Sequence, residues 1–156
     1  DGIHNLHSII YKKALSYYFS KEYKSFDMMS DSMISLIEQG LKISPKDYIS
    51  AINQQSNLIS AMDQIMKNYD TLITLSTAGA APPRDQEEKI DSSLIWNTLQ
   101  LPTVAVPGFS YNNLPYGFQV CSRKYNDYLL LNFLDYINEK ELIPNKMNPI
   151  LGKVFN

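Results

Sequence analysis

Apolar residues recur at helical steps through the first seventy positions and then give way to short unbroken runs. Ile3, Leu6, Ile10, Ala14 and Tyr17 stand three or four apart, which places them on one helical face. Met29, Met33, Leu36 and Ile37 predict a second helix, with Ser30 or Asp31 to cap its start. Gly40 stands where a left-handed C-terminal cap is expected. The third helix has the clearest start, because Ser44-Pro45-Lys46-Asp47 supplies an N-cap, a first-turn proline and an acid at the third position. From there Tyr48, Ile52, Leu58 or Ile59, Met62, Ile65 and Tyr69 keep helical spacing for about twenty residues, without Gly or Pro.

The pattern changes at Asp70. Thr71-Leu72-Ile73-Thr74-Leu75 is short, apolar and β-branched, and reads as a strand. The Gly-, Ala- and Pro-rich run from Ser76 to Pro83 can neither prolong that strand nor start a stable helix. After a charged, exposed stretch from Arg84 to Lys89, Asp91 or Ser92 caps a short helix that runs to about Gln100. Thr103-Val104-Ala105-Val106 predicts a second strand closed by Pro107-Gly108, and Tyr116 to Cys121 predicts a third. Asn112-Asn113 lies between them, and Asn tolerates the positive φ of a tight turn. Asn126 and Asp127 cap a last helix with Leu130, Phe133, Leu134 and Ile137 on its apolar face, and the tail from residue 144 to 156 is irregular.

These strands are apolar on both sides rather than alternating, which predicts an α/β arrangement with helices on both faces. Three strands make too small a sheet to satisfy their own edges, so a further segment is expected to complete it. The chain therefore reads as one domain over 1–156: helical to residue 69, sheet region from 70 to 143, then the tail. Its 156 residues suffice for one core, and 44% hydrophobic with 19% charged residues argues against disorder. A net charge of −2 without blocks of like charge argues against nucleic acid as a direct partner. No apolar run approaches the ~20 residues of a membrane span. The single cysteine, Cys121, cannot form an internal disulfide, which favours a reducing, cytoplasmic setting. The chain starts without Met and without a recognisable leader, which fits a chain that begins inside a longer gene product and equally one that has been processed.

Four motifs in order give the chain a family resemblance. Tyr48 and Ala51 stand on the long helix, and Tyr69 and Asp70 open a strand that ends near Thr77. Asn97, Leu101 and Pro102 precede a strand ending at Pro107, and Leu114, Pro115, Gly117 and Gln119 form a last strand. This order resembles the C-terminal portion of the amidase signature family, whose serine amidohydrolases use a Ser–cis-Ser–Lys triad. The resemblance covers roughly Ile3 to Ile143 and is specific from Tyr69 to Arg123. It implies a mixed sheet covered by helices and hydrolysis of a carbon–nitrogen amide bond without a cofactor. The chain departs from the family pattern at Gln100-Leu101, where a Gly is usual before the Pro, and at Asn112-Asn113, where Asp-Gly is usual. An Arg often found on the long helix is missing near Gln54 and Gln55, which leaves the substrate class open.

The triad itself has no counterpart in the residues. Acyl transfer by this route needs closely placed Ser, Ser and Lys in a glycine-rich loop, and no Ser-x-x-Lys spacing occurs anywhere in the chain. Ser92-Ser93 lacks flanking glycines and stands at a helix start, so capping outweighs catalysis there. His4 and His7 share a helix face, but no further ligand completes a metal site, so surface histidines are expected. Cys121 reads as a buried small residue rather than a nucleophile. The expected pocket residues are Thr77, Ala78 and Gly79, at a strand end where ligand crevices of open sheets lie, with Trp96 and Asn97 beside them. A plain connection explains the loop, and an apolar helix face explains Trp96, equally well. The expectation is thus a pocket wall without a nucleophile, inactive alone. Its expected partners are the N-terminal catalytic portion of the same protein and a small-molecule amide. A non-catalytic scaffolding subunit with this fold is the alternative, and an independent helical module is the third reading.

Overall fold

The computed structural model describes residues 2–83, 85–86, 92–111 and 114–143. In chain order they form α1 (Gly2–Tyr18), a 3-10 segment (Glu22–Met28), α2 (Asp31–Lys42), α3 (Pro45–Met66), β1 (Thr71–Leu75), α4 (Ser93–Thr98), β2 (Thr103–Tyr111), β3 (Leu114–Ser122) and α5 (Asp127–Glu139). The chain divides into two compact units, Asp1–Met62 and Asp63–Asn156, with the division inside α3.

In the helical unit, Ser30 is the cap of α2, its Oγ accepting from the Met33 N–H at 3.3 Å. Gly40 is not a left-handed cap: no described glycine has positive φ, and α2 runs on to Lys42. Its value is steric. A Cβ at Gly40 would meet the Lys12 carbonyl oxygen of α1 and stand 2.6 Å from that carbonyl carbon. Lys13 instead serves the end of α2, its ammonium donating to the carbonyls of Ile43 at 2.8 Å and Gly40 at 3.4 Å. The expected face of α1 also drifts. Leu6, Leu15 and Ser16 are buried, whereas Tyr17 is 74% exposed. The pull toward Leu15 and Ser16 follows from the close approach at Gly40, whose Cβ position lies 3.0 Å from Ser16 Cβ.

α3 starts as its sequence predicts. The Asp47 N–H donates to Ser44 Oγ at 3.1 Å and the Ser44 hydroxyl donates to the Asp47 carboxylate at 2.7 Å. Ala51 and Met66 are its fully buried positions, and of the Leu58–Ile59 pair only Ile59 turns inward.

The sheet unit has strand order β1-β3-β2, with both pairs antiparallel. β2 does not close at Pro107-Gly108 but continues through an irregularity in register between Pro107 and Phe109 and stays paired as far as Tyr111↔Leu114. A proline and a glycine break the local pattern, yet pairing with β3 carries the strand past them. The expected turn residues Asn112 and Asn113, like Asp91, the charged stretch apart from Asp85 and Gln86, and the tail from 144, lie outside the described residues.

Register sorts the two faces. Val106, Val120 and Leu130 form a buried cluster, so α5 covers the face that carries Val104, Val106, Phe118 and Val120. Thr74, Ala105 and Gln119 lie opposite one another on the other face, toward α4. Helices thus stand on both faces, as expected, except over β1, where Ile73 and Leu75 remain 57% and 56% exposed. Arg123, just after β3, grips Asp63 on α3 through two parallel bonds of 2.5 and 2.9 Å.

Candidate functional site

The best-built polar arrangement lies where β1 ends beside the start of α4. Thr74 and Gln119 are cross-strand partners on one face, and Gln119 is 4% exposed, so its amide needs partners inside the protein. It finds them in the Leu75 carbonyl at 3.2 Å and Ser92 Oγ at 3.1 Å. Ser92 Oγ in turn lies 3.0 Å from the Leu75 carbonyl and 3.3 Å from Thr74 Oγ1, and its one proton serves either acceptor. The buried Trp96 indole N–H also donates to Thr74 Oγ1, at 3.3 Å.

Ser92 therefore stands at the N-cap position without capping: no side-chain cap bond forms at α4. Its hydroxyl is drawn across to the end of β1, where it accepts from the buried Gln119 amide of β3 and donates toward the Leu75 carbonyl or Thr74. Among the described residues no lysine or histidine shares a hydrogen bond with Thr74, Ser92 or Gln119. Ser93 Oγ reaches the Ser76 carbonyl at 3.5 Å. Both serines thus hold the strand end in place.

The loop after β1 is gripped at its stem and open at its tip. The Ser76 N–H and hydroxyl both donate to the Gly117 carbonyl, at 3.1 and 2.9 Å. Tyr116 OH donates to the Thr77 carbonyl at 3.0 Å, and Thr77 Oγ1 closes on the Gly79 carbonyl at 2.6 Å. Gly117 is required here, since a Cβ would stand 2.5 Å from the Val106 carbonyl oxygen and 3.4 Å from Ser76 Oγ. Thr77, Ala78 and Gly79 are exposed, and a Cβ on Gly79 would meet nothing within 4 Å.

Of the five residues expected at a pocket, the structure brings Trp96 to the β1 end through Thr74, with Thr77 to Gly79 following directly in the loop. Asn97 is exposed on α4, and no hydrogen bond joins its side chain to this group. Thr74, Tyr116 and Gln119 escaped the sequence reading as site residues. The available signal was alternation: a glutamine within an apolar strand demands buried partners.

Cys121 is fully buried, and burial pushes its thiol up to about 11. His7 stacks on Tyr11 at 5.5 Å, and burial together with His4 lowers its pKa. Among the described residues no group of three or more His, Cys, Asp or Glu can hold a metal ion, and no helix is long and apolar enough to cross a membrane.

No protein-family model and no curated protein matches the sequence. Solved structures do. The chain is similar to a crystal structure of an amidase with a TM-score of 0.79 and 19% identity, over 90% of this chain and 36% of that one. It is similar to a bacterial aryl acylamidase of the amidase signature family at 0.65 and 14%, over 83% and 32%. A third likeness, at 0.71 and 14% over 89% and 35%, is to a chain of an inhibitor-bound vestigial protein complex tied to the origins of an s-triazine catabolic enzyme. The chain spans about a third of the length of these structures, and over that third its fold is that of the amidase signature enzymes.

Proposed function

We propose that this chain is the C-terminal portion of a serine amidohydrolase, supplying sheet and pocket wall to a nucleophile carried elsewhere in the same protein. The likeness to an amidase over 90% of this chain but 36% of that enzyme carries the reading. Two features of the sheet unit support it. Among the described residues β1 and β2 each pair on one side only, and β1 exposes Ile73 and Leu75. Unpaired edges and an uncovered apolar face suit a sheet that continues into further chain.

The reaction is acyl transfer. A serine of the N-terminal portion attacks the amide carbonyl, its proton passing through a second serine to a neutral lysine. The C–N bond then breaks, the amine leaves with a proton, and water hydrolyses the acyl-serine ester. This chain's own residues bind and orient. Thr77, Ala78 and Gly79 present a low wall that lets a small amide approach the backbone, with Trp96 and Asn97 at its side. Thr74, Ser92 and Gln119 hold the strand end that carries the wall. The setting is cytoplasmic, consistent with a buried free thiol.

The test is covalent labelling of the full-length protein with a fluorophosphonate, followed by peptide mapping. The label is expected on one serine outside residues 1–156, with Ser92 and Ser93 unmodified, together with hydrolysis of simple anilides. A label within this chain would overturn the division of labour. A full-length protein that takes no label and cleaves no amide would instead be a non-catalytic scaffolding subunit.

A further inference from the structure

We infer that Tyr116 is a positioning residue, whose hydroxyl latches the loop after β1 and thereby sets which acyl groups the wall admits. The inference rests on the amidohydrolase reading above and adds to it a residue outside the expected pocket. The observations are geometric. The loop stem is fixed by the double acceptance of Gly117 O from Ser76, at 3.1 and 2.9 Å. One residue further, the Thr77 carbonyl is held by Tyr116 OH at 3.0 Å, a bond between positions thirty-nine apart in sequence. The Thr77 hydroxyl bends inward to Gly79 O at 2.6 Å. Beyond that point the Gly79 Cβ position meets no atom within 4 Å.

Beyond the stem at Ser76, the bond from β3 into the loop is made by the exposed Tyr116 hydroxyl. Gly117 cannot be replaced without collision with the Val106 carbonyl, so the ring of Tyr116 is presented from a strand whose register is locked. Removing the hydroxyl leaves the strand intact and frees only Thr77 and the residues after it. A small displacement of a positioning backbone is enough to change the relative rates of two substrates.

Two variants of the full-length protein test the latch. Tyr116→Phe is expected to speed amide hydrogen exchange over residues 77–80 by about fivefold, the factor of one ordinary hydrogen bond. Exchange in β1 and β3 should change far less, and the thermal midpoint should fall by no more than a few degrees. It is also expected to shift the ratio of kcat/KM between acetyl and hexanoyl 4-nitroanilide. Gly79→Val inserts atoms into open space and is expected to lower that ratio's hexanoyl side without unfolding. Unchanged exchange in Tyr116→Phe overturns the latch, whether or not the protein is an amidase. Faster exchange with an unmoved ratio, in a protein where Gly79→Val moves it, overturns the role in selection. A ratio that neither variant moves removes the loop from the pocket and the inference with it.

Discussion

In the helical unit Gly40 lets α2 lie against the Lys12 carbonyl of α1; in the sheet unit Gly117 lets β3 lie against the Val106 carbonyl of β2. Both glycines have ordinary φ, so neither is there for a turn. The consequences differ. At Gly40 the approach joins two helices whose other buried residues are few: Leu6, Leu15, Ser16 and Ile37. At Gly117 the approach locates a strand that also carries Gln119, and the room it leaves is used by Ser76 and the loop after β1. The same absent side chain serves packing in one unit and a polar site in the other.

The sharpest way to break this contrast is in the hydrophobic core of the sheet unit. Leu130→Ala removes most of a side chain that is 2% exposed and packed with Val106 and Val120, and is expected to cost about 3–4 kcal/mol in denaturant unfolding. A neutral result would mean that α5 does not cover that face. Next comes Gly40→Ala, expected to destabilise by about 2–3 kcal/mol, because backbone atoms rather than a flexible side chain oppose the new methyl group. Unchanged stability there would show that the two helices do not approach as described.

Gln119→Ala sharpens the polar side of the comparison. It deprives the Leu75 carbonyl and Ser92 of a buried donor and is expected to cost about 2 kcal/mol. Tryptophan fluorescence should shift with it, since Trp96 shares Thr74 with Ser92. The smallest effect is expected from Asp63→Asn, because the carboxylate and its Arg123 partner are about a third exposed and solvent screens them. The sign is nonetheless definite. The hydrogen bonds and charge of Arg123 hold the Asp63 carboxyl below its ordinary value of 3.8. The pair's contribution is therefore fully present above about pH 4 and is lost as pH falls through the depressed value. The stability lost on acidification through this range should be larger for the wild type than for Asp63→Asn, and parallel curves would contradict it.

Local signals were legible where the physics is local. Ser44 and Asp47 start α3 as read, Thr71–Leu75 is β1 to the residue, and Leu130 and Ile137 face inward on α5. Position along the chain misled where partners lie far away. Gly40 looked like a cap because helices often end in glycine, yet the neighbour that demands glycine is Lys12. Pro107-Gly108 looked like an end because both residues weaken a strand, yet pairing with β3 runs through them. Ser92 looked like a cap, but its partners Thr74 and Gln119 are eighteen and twenty-seven positions distant.

The order of helices and strands, the inward residues of α5 and the likeness to an amidase follow from the sequence, because propensity, capping and motif order act over a few residues. Which glycine permits contact, which hydroxyl holds the loop after β1, and which apolar residues stay uncovered were decided only in three dimensions. Hydrogen bonds such as Tyr116 to Thr77 and Gln119 to Leu75 join residues about forty positions apart. No local pattern encodes such a pairing; strand register creates it.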